Sequence, residues 1–598
     1  ASVQQFGAVG DGVTDDQPAI QAAIIACVGK KLTSTIANNH LIESELDVPS
    51  NSFIDLQGAA ITDNVQGFWS LQAVRAAPLF SIFDIRNVSI KNFVYVAAAT
   101  RHTVSYDIPT GIINIGKQGS TSETVDINIS GIQASTFADH TIFISVMGEA
   151  SEITVDDIKL TGDCAFGINI EYGIAPTGED TAGAYGAHPH NIKITNFTGL
   201  QNSTCRGFLR TAGCYNITFE NCSGYNVRRF IYSWTGDRGI QRVDQTVRHL
   251  NCSHYATGSF LIGVVNNNAT VIATEFDGST GDPLPVWTNR DVHVTFENCQ
   301  FENNGVEGSA GIRLIGAGGK VDISNSVFKN CGYGIRMGGS AGIVTTTATY
   351  SLSVRDCTFK DNKQDLRLIA SKGSLFESCV FKDQVGALSP IYIEDETKNN
   401  TFKGCSFYGM NGDISYVEVL AAANENNRFI RCNFEPTGSA PSIKLLAETK
   451  LIDCTSDDLF DLTGSYLYPS NWEGEQLFTP SLIGSTSGSQ AGTGTYNVVG
   501  GMLYFRIEIT SPAAGRALGN LTITGLPKAS KTGGKYLVVG ARTVYVDAAA
   551  TKFIAQVTSA SSILTLFEER ESNLNTNMTN SNLTGTAYLT IVGAYSIY

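Results

Sequence analysis

Carboxylates, cations and aromatic rings gather in one part of this 598-residue chain. Glu171 lies in GINIEYG, Arg210 in GFLRTAG, and the run RRFIYSWTGDRG from Arg228 to Gly239 sets Tyr232 and Trp234 beside Asp237 and Arg238. Aromatic faces stack on sugar rings, carboxyl groups move protons and guanidinium groups neutralise acidic substituents, so the mixture suits a carbohydrate cleft. Glycoside hydrolysis needs two carboxyl groups, about 5–5.5 Å apart for retention or 6.5–9.5 Å for inversion. Glu171 and Asp237 form the first pair. Asp277, Asp282, Glu307 and the run Glu394, Asp395, Glu396 are alternatives, the last reading equally as a solvated acidic turn. The rival chemistry is β-elimination: Tyr232, His188 or His190 removes the proton next to a uronate carboxylate, which Arg210 or Arg238 neutralises. His188 and His190 flank Pro189 with no third ligand nearby, the pattern of a loop rather than of a zinc site, so neither a metal nor a cofactor is expected.

These residues fall into a column when the chain is cut into repeating segments. Glu171, Arg210, Tyr232, Arg313, Arg336, Arg367, Glu394, Glu418 and Lys444 each take the middle outward place of a short alternating run. In stacked strands about 4.8 Å apart they make one stripe of outward charge, with Glu171 and Asp237 two layers apart. Solvation alone accounts for charge on an outer face. Three arginines in successive layers ask for more, because like charges repel unless an anion sits among them, and the carboxylates of an acidic sugar would serve. Two long insertions border the upper stripe: 173–190, with Glu179, Asp180, Tyr185, His188 and His190, and 266–290, with Asp277, Asp282 and Trp287. Long insertions on a rigid scaffold commonly build binding sites. Arg210, Tyr232, Trp234, Arg238, His188, Trp287, Arg313 and Arg336 are the expected substrate-binding residues.

The elements that must hold such a column are strands. Gly is 60, Pro 15 and charged residues 16%, and Asn, Thr, Ser and β-branched residues crowd the short apolar runs. That balance favours strands and turns over helices. The 13 cysteines include no C-x-x-C pair. Instead Cys222, Cys252, Cys299, Cys357, Cys379, Cys405, Cys432 and Cys454, with Ser326 standing in once, recur in one local pattern, as in NCQF, DCTF, SCVF and GCSF. Their spacings of 30, 47, 27, 31, 22, 26, 27 and 22 residues are those of solenoid coils, and Ile158 and Phe197 continue the register upstream. Alternation in NITFEN or SLSVRD turns one face inward; the cysteines stack there as small apolar groups, and Asn, Asp or Gly a few residues later takes the unusual dihedrals of a corner. Thiols of this kind suit folding in a reducing cytosol. A formal net charge of -15 and a pI near 5.1 argue against nucleic acid as a partner, and the absence of a run of 18 apolar residues argues against a membrane span.

The N-terminal run FGAVGDGVTDD (6–16), followed by QPAIQAAIIACV, sets Asp15 or Asp16 to cap a helix with Pro18 in its first turn. It resembles the N-terminal segment of the pectate-lyase-like right-handed β-helix superfamily, which includes many phage tailspikes. The resemblance implies an all-β chain: a cap over 1–40, a parallel β-helix over 41–460, a linker over 461–475 and a β-sandwich-like domain over 476–598. WEGEQLFTPSL and the closing strands are similar to C-terminal modules of tail fibres and tailspikes, which hold three chains together or add sugar contacts. A phage tailspike that depolymerises a bacterial capsular or O-antigen polysaccharide is therefore expected, made in the host cytoplasm, carried on the virion tail and working as a homotrimer. The start at Ala1, without initiator Met or signal peptide, reads as a fragment lacking its tail-attachment part. A polysaccharide lyase on the same scaffold and a spike that adheres without cleaving are the alternatives; a secreted pectin-type enzyme fits less well.

Overall fold

The computed structural model describes residues 1–35, 37–65, 78–98, 111–117, 122–136, 142–161, 166–171, 188–200, 207–212, 214–227, 231–234, 245–256, 262–266, 292–305, 309–316, 319–337, 350–369, 371–386, 388–394, 397–409, 416–419, 426–435, 443–445, 449–452, 454–456 and, after 476, the strands named below. They belong to two compact units, Ala1–Ser371 and Lys372–Tyr598.

In the first unit the chain winds as coils of three short strands. Tyr215–Glu220, Ser223–Val227 and Ile231–Trp234 make one coil; Gln245–Leu250, Ser253–Ala256 and Ile262–Asn266 the next; Val292–Glu297, Gln300–Glu302 and Ala310–Gly316 the one after. Each strand pairs in parallel with its counterpart, so that Ile217, Val247, Val294, Val321 and Leu352 fall in file. The first two strands of each coil share one sheet and the third lies in another. Inward residues are Ile, Val, Leu and Phe, nearly all without exposure. This is the expected parallel β-helix.

The cysteine slot is set by a corner immediately before it. Asn221, Asn251, Asn298, Asn325 and Asp356 have φ of 53°, 51°, 53°, 49° and 53°. Asn and Asp tolerate this left-handed region better than other non-glycine residues. Their side chains also tie coils together: Asn251 donates to Asn221 at 3.4 Å and Asn298 to Asn251 at 3.3 Å. The corner residues expected after the slot are present too, at Asn304, Asn330 and Asp361, all with positive φ. The slot is thus bracketed by two bends, of which the sequence reading had only the second. Within it Cys222, Cys252, Cys299 and Cys357 are buried, and each thiol donates to the carbonyl two residues back at 3.1–3.6 Å. Ser326 makes the same bond at 2.8 Å, as a stand-in should.

Two residues beyond the slot, Phe301, Phe328 and Phe359 stack at centroid distances of 4.5 and 4.6 Å. Their stack explains two glycines. A Cβ on Gly311 would come within 2.9 Å of Phe328, and one on Gly334 within 2.7 Å of Phe359 and 2.6 Å of the Asp365 carbonyl.

Asp365 itself is fully buried, accepting from Asn362 at 2.8 Å through one oxygen. Burial raises its pKa from 3.8 to about 7, against the opposing pull of the Asn362 bond. The folded chain therefore holds a proton that the unfolded chain releases near pH 4. Stability from this group is full below about pH 4, falls as pH rises and levels off above about 7. We expect the melting temperature to decline from pH 5 to pH 8, and Asp365→Asn to flatten that decline with a gain of about 2–6 °C at pH 8. An unchanged pH profile in the variant would show the carboxyl to be solvated.

At the N-terminus the helix Gln17–Ala26 starts as expected with Pro18 in its first turn. The two aspartates divide the work. Asp15 accepts from the backbone N–H of Gln17 at 3.0 Å. Asp16, buried, instead takes the N–H groups of Val9 and Gly10 and pairs with buried His40 at 2.6 Å, which in turn meets Ser34 at 2.8 Å.

In the second unit the coils continue as Leu375–Glu377, Val380–Lys382 and Ile391–Glu394, then Thr401–Lys403, Ser406–Tyr408 and Val417–Val419, then Asn427–Ile430, Asn433–Phe434 and Ile443–Leu445, closing on Thr449–Ile452 and Thr455–Ser456. From 476 onward pairing becomes antiparallel. One sheet holds Gln476–Phe478, Thr493–Val499, Met502–Ser511, Leu583–Ser596 and Ala541–Val546; the other holds Ser489–Ala491, Ser481–Gly484, Leu521–Thr524, Leu564–Glu569, Lys552–Val557, Tyr536–Val538 and Asn575–Asn577.

Candidate active site

The strands that carry the expected stripe are the third of each coil. Ile168 and Ile170 point into the core from Phe166–Glu171, as do Ile312 and Leu314, Ile335 and Met337, and Leu366 and Leu368 further along. The residues between them face the other way. Register fixes who stands beside whom: Asn169, Arg210, Tyr232, Gly263, Arg313, Arg336 and Arg367 form one file. The three arginines in successive coils are therefore real neighbours.

Glu171 is not in that file. It stands one outward place further, beside Ala212, Trp234 and Val265. Glu394 is displaced in the same way, since Tyr392 is the partner of Glu418, which pairs on with Lys444. Counting from the cysteine slot cannot place these residues, because the link between second and third strands varies in length, and a shift of two keeps the same face while changing the file.

Glu171 and Arg210 nevertheless meet diagonally across adjacent coils. Arg210 donates through Nη1 to Oε2 at 2.6 Å and through Nη2 to Oε1 at 3.1 Å, and Nη1 also reaches Asn169 Oδ1 at 3.0 Å. Asn169 closes the set by donating to Glu171 Oε2 at 3.2 Å. The Arg210 guanidinium lies 5.4 Å from the Phe166 ring centroid. Glu171 is 3% and Arg210 9% exposed although both face away from the coil interior. A bidentate pair this far out of water holds its geometry firmly. Both Glu171 carboxylate oxygens accept hydrogen bonds, two on Oε2 and one on Oε1.

Four and five coils on from Glu171, Arg313 and Arg336 are half-buried. The Arg336 guanidinium sits 5.0 Å from the Tyr333 ring centroid. Burial, and secondly the charge of Arg336, lowers the pKa of Arg313. Asn169 and Tyr333 were not singled out from the sequence; the signal was the polar residue two places before Glu171 in GINIE and the aromatic three places before Arg336.

Of the other expected site residues, Tyr232 and Trp234 have their backbone in the strand Ile231–Trp234, at the register positions of Arg210 and Ala212; their side chains lie outside the described residues. Asp237, Arg238, Trp287, Asp277, Asp282, Glu307, Asp395 and Glu396 also lie outside them. His188 is buried and His190 stacks on Tyr215 at 4.7 Å. His190 opens the strand His190–Leu200, with His188 just before it, and that strand belongs to the cysteine-bearing sheet rather than to that of the stripe. That sheet carries a cavity of about 300 Å³ lined by Ser253, His254, Tyr255, Gln300 and Glu302.

Residues 341–471 match the family model of the right handed beta helix region, in agreement with the coil geometry. No curated protein matches the sequence. Among solved structures the chain is similar to the Dettilon tailspike protein, at 15% identity over 100% of this chain and 94% of that one with a TM-score of 0.38. It is similar to the tailspike protein of E. coli bacteriophage HK620, solved in complex with a pentasaccharide, at 11% identity over 99% and 93% with a TM-score of 0.47. It is also similar to an endo-xylogalacturonan hydrolase from Aspergillus tubingensis, at 14% identity over 70% and 95% with a TM-score of 0.37.

Proposed function

We propose that the outward stripe binds an acidic polysaccharide of a bacterial surface and that the chain cleaves it as a tailspike depolymerase. The observation that carries this reading is the stack of Arg313, Arg336 and Arg367 in successive coils. Guanidinium groups repeating about every 4.8 Å make a cationic strip whose spacing suits a polymer bearing carboxylates at intervals. Hydrolysis is the favoured chemistry. Glu171, whose oxygens both accept, serves as the base; Asp237 serves as the acid; and Arg210 and Asn169 fix the base in place. Tyr232, Trp234, Arg238 and Trp287 join the arginines in holding the sugar, while His188, buried beside the other sheet, does not. The strands after 476 hold three chains together as a homotrimer, carried on the virion tail.

β-Elimination is the second reading, favoured by the same arginines, since it requires a neutralised uronate. Capsules and O-antigens from a strain panel, incubated with the protein and sized by mass spectrometry, separate the readings. Hydrolysis gives shortened chains each heavier by one water; elimination gives products that absorb in the ultraviolet. Oligosaccharide that binds but never shortens marks an adhesive spike, and acidic polymers that never bind defeat the proposal. On the bound polymer Arg336→Ala should weaken affinity about 10-fold, the loss of one partly screened charge-assisted contact.

A further inference from the structure

One coil places two imidazole rings at core positions where four other coils place Phe. At Cys299, Cys379, Cys405 and Cys432 the residues three before and two after the slot are both Phe. At Cys252 both are histidine. His249 lies in register between Phe219 and Phe296, its ring stacked on theirs at 4.9 and 4.7 Å. His254 lies in register with Phe301 at 5.1 Å. Phe would fill either slot without burying a polar atom, and burying imidazole nitrogens away from water is costly. Neither ring nitrogen of fully buried His249 makes a hydrogen bond of normal geometry, although the ring interacts with Cys252. The two imidazole rings stand edge to face at 6.2 Å. Ligand atoms of Cys252, His254 and Cys299 all lie within 4.8 Å of one another.

We propose that this coil holds a structural zinc ion inside the β-helix, bound by Cys252, Cys299 and His254 with His249 as the fourth ligand. Tetrahedral zinc with Zn–S about 2.3 Å and Zn–N about 2.0–2.1 Å needs ligand atoms roughly 3.3–3.8 Å apart, so drawing Cys252, His254 and Cys299 together takes shifts of about 1 Å, and the His249 ring, which interacts with Cys252, turns in to complete the set. Two thiolates cancel the charge of the dication, which is what an apolar interior demands of a buried metal. The thiols release their two protons as the ion binds, and the ion enters as the coils form, because no open path to a closed core is required once folding and binding are coupled. The site is apart from the stripe: its ligands come from the cysteine-bearing sheet.

The full chain should be refolded with and without zinc and its metal content measured, alongside cobalt(II) as a spectroscopic probe. The expected result is about one zinc per chain, with a thiolate-to-cobalt charge-transfer band and tetrahedral d–d bands in the cobalt form. His254→Phe supplies the aromatic that the next coil uses at this position, Phe301, so it should fold and lose the metal. Cys299→Ser is the second variant, since Ser326 already occupies that slot one coil on, and Cys357→Ser is the control that keeps full metal. Wild-type protein that refolds to the same circular dichroism and melting temperature with less than about a tenth of a zinc per chain would overturn the proposal. So would full stoichiometry in both His254→Phe and Cys299→Ser.

Discussion

Glu171→Gln should lower turnover by about 10²–10⁴-fold while leaving substrate affinity nearly unchanged, and Asp237→Asn should do the same. The proposal behind this expectation gives Glu171 the base role and Asp237 the acid role. Glu171 raises a complication that Asp237 does not, because its carboxylate also partners Arg210 at 2.6 and 3.1 Å in a nearly dry environment. Removing one member of a buried ion pair costs about 3–5 kcal/mol of stability, mostly from the charge left behind. Lost activity must therefore be read well below the melting temperature of each variant. Arg210→Met on top of Glu171→Gln removes the stranded guanidinium and should restore much of the stability without restoring turnover. If stability and turnover recover together, Glu171 is a structural anchor. If Glu171→Gln, folded, turns over within about threefold of wild type, the chemistry moves to Asp277, Asp282 or Glu307.

The coil was legible in the sequence because its signals are local. A bend residue, a small buried residue and an aromatic recur within a few positions, and each is demanded by one physical need: left-handed φ, close packing, stacked rings. The cysteine file, including the Ser326 substitution, could be read from spacing for that reason. The stripe was legible only in part. Arg336 and Arg367 each follow a link of three residues between second and third strands, so counting keeps those two in file, whereas Arg313 follows a longer link and is placed beside them by register. Glu171 and Glu394 follow links of other lengths, and counting put them in the wrong file although on the correct face. Burial of the Glu171–Arg210 pair was not legible at all, because outward parity says nothing about what lies over an outer face. Nor was the role of Asp16, where one carboxylate serves two backbone amides and a histidine 24 residues on. The histidines at 249 and 254 carried a readable signal, because Phe fills the matching positions around Cys299, Cys379, Cys405 and Cys432.

The interior stack sets the largest expected loss of stability. Phe402 lies between Phe376 and Phe429, its ring 4.6 Å from each and nearly parallel to both. It is fully buried, in a strand only three residues long. Phe402→Ala removes the transfer energy of the ring and leaves a void bounded by two stacked aromatics that the rigid coils above and below cannot close, so the loss is about 3–5 kcal/mol. The two lost stacking contacts contribute about 0.5–1.5 kcal/mol each to a loss of that order. The next residue makes the contrast. Lys403 pairs with Glu377 at 2.7 Å, yet its side chain is 51% exposed, and an exposed pair contributes about 0–1 kcal/mol after screening and side-chain entropy are counted. Denaturant midpoints should therefore fall steeply for Phe402→Ala and hardly move for Lys403→Ala. Phe402→Leu, which refills most of the volume without the ring, should lie between them and nearer to wild type. Equal midpoints for Phe402→Ala and Lys403→Ala would mean that the aromatic file is decoration on a solenoid held by its backbone ladder alone.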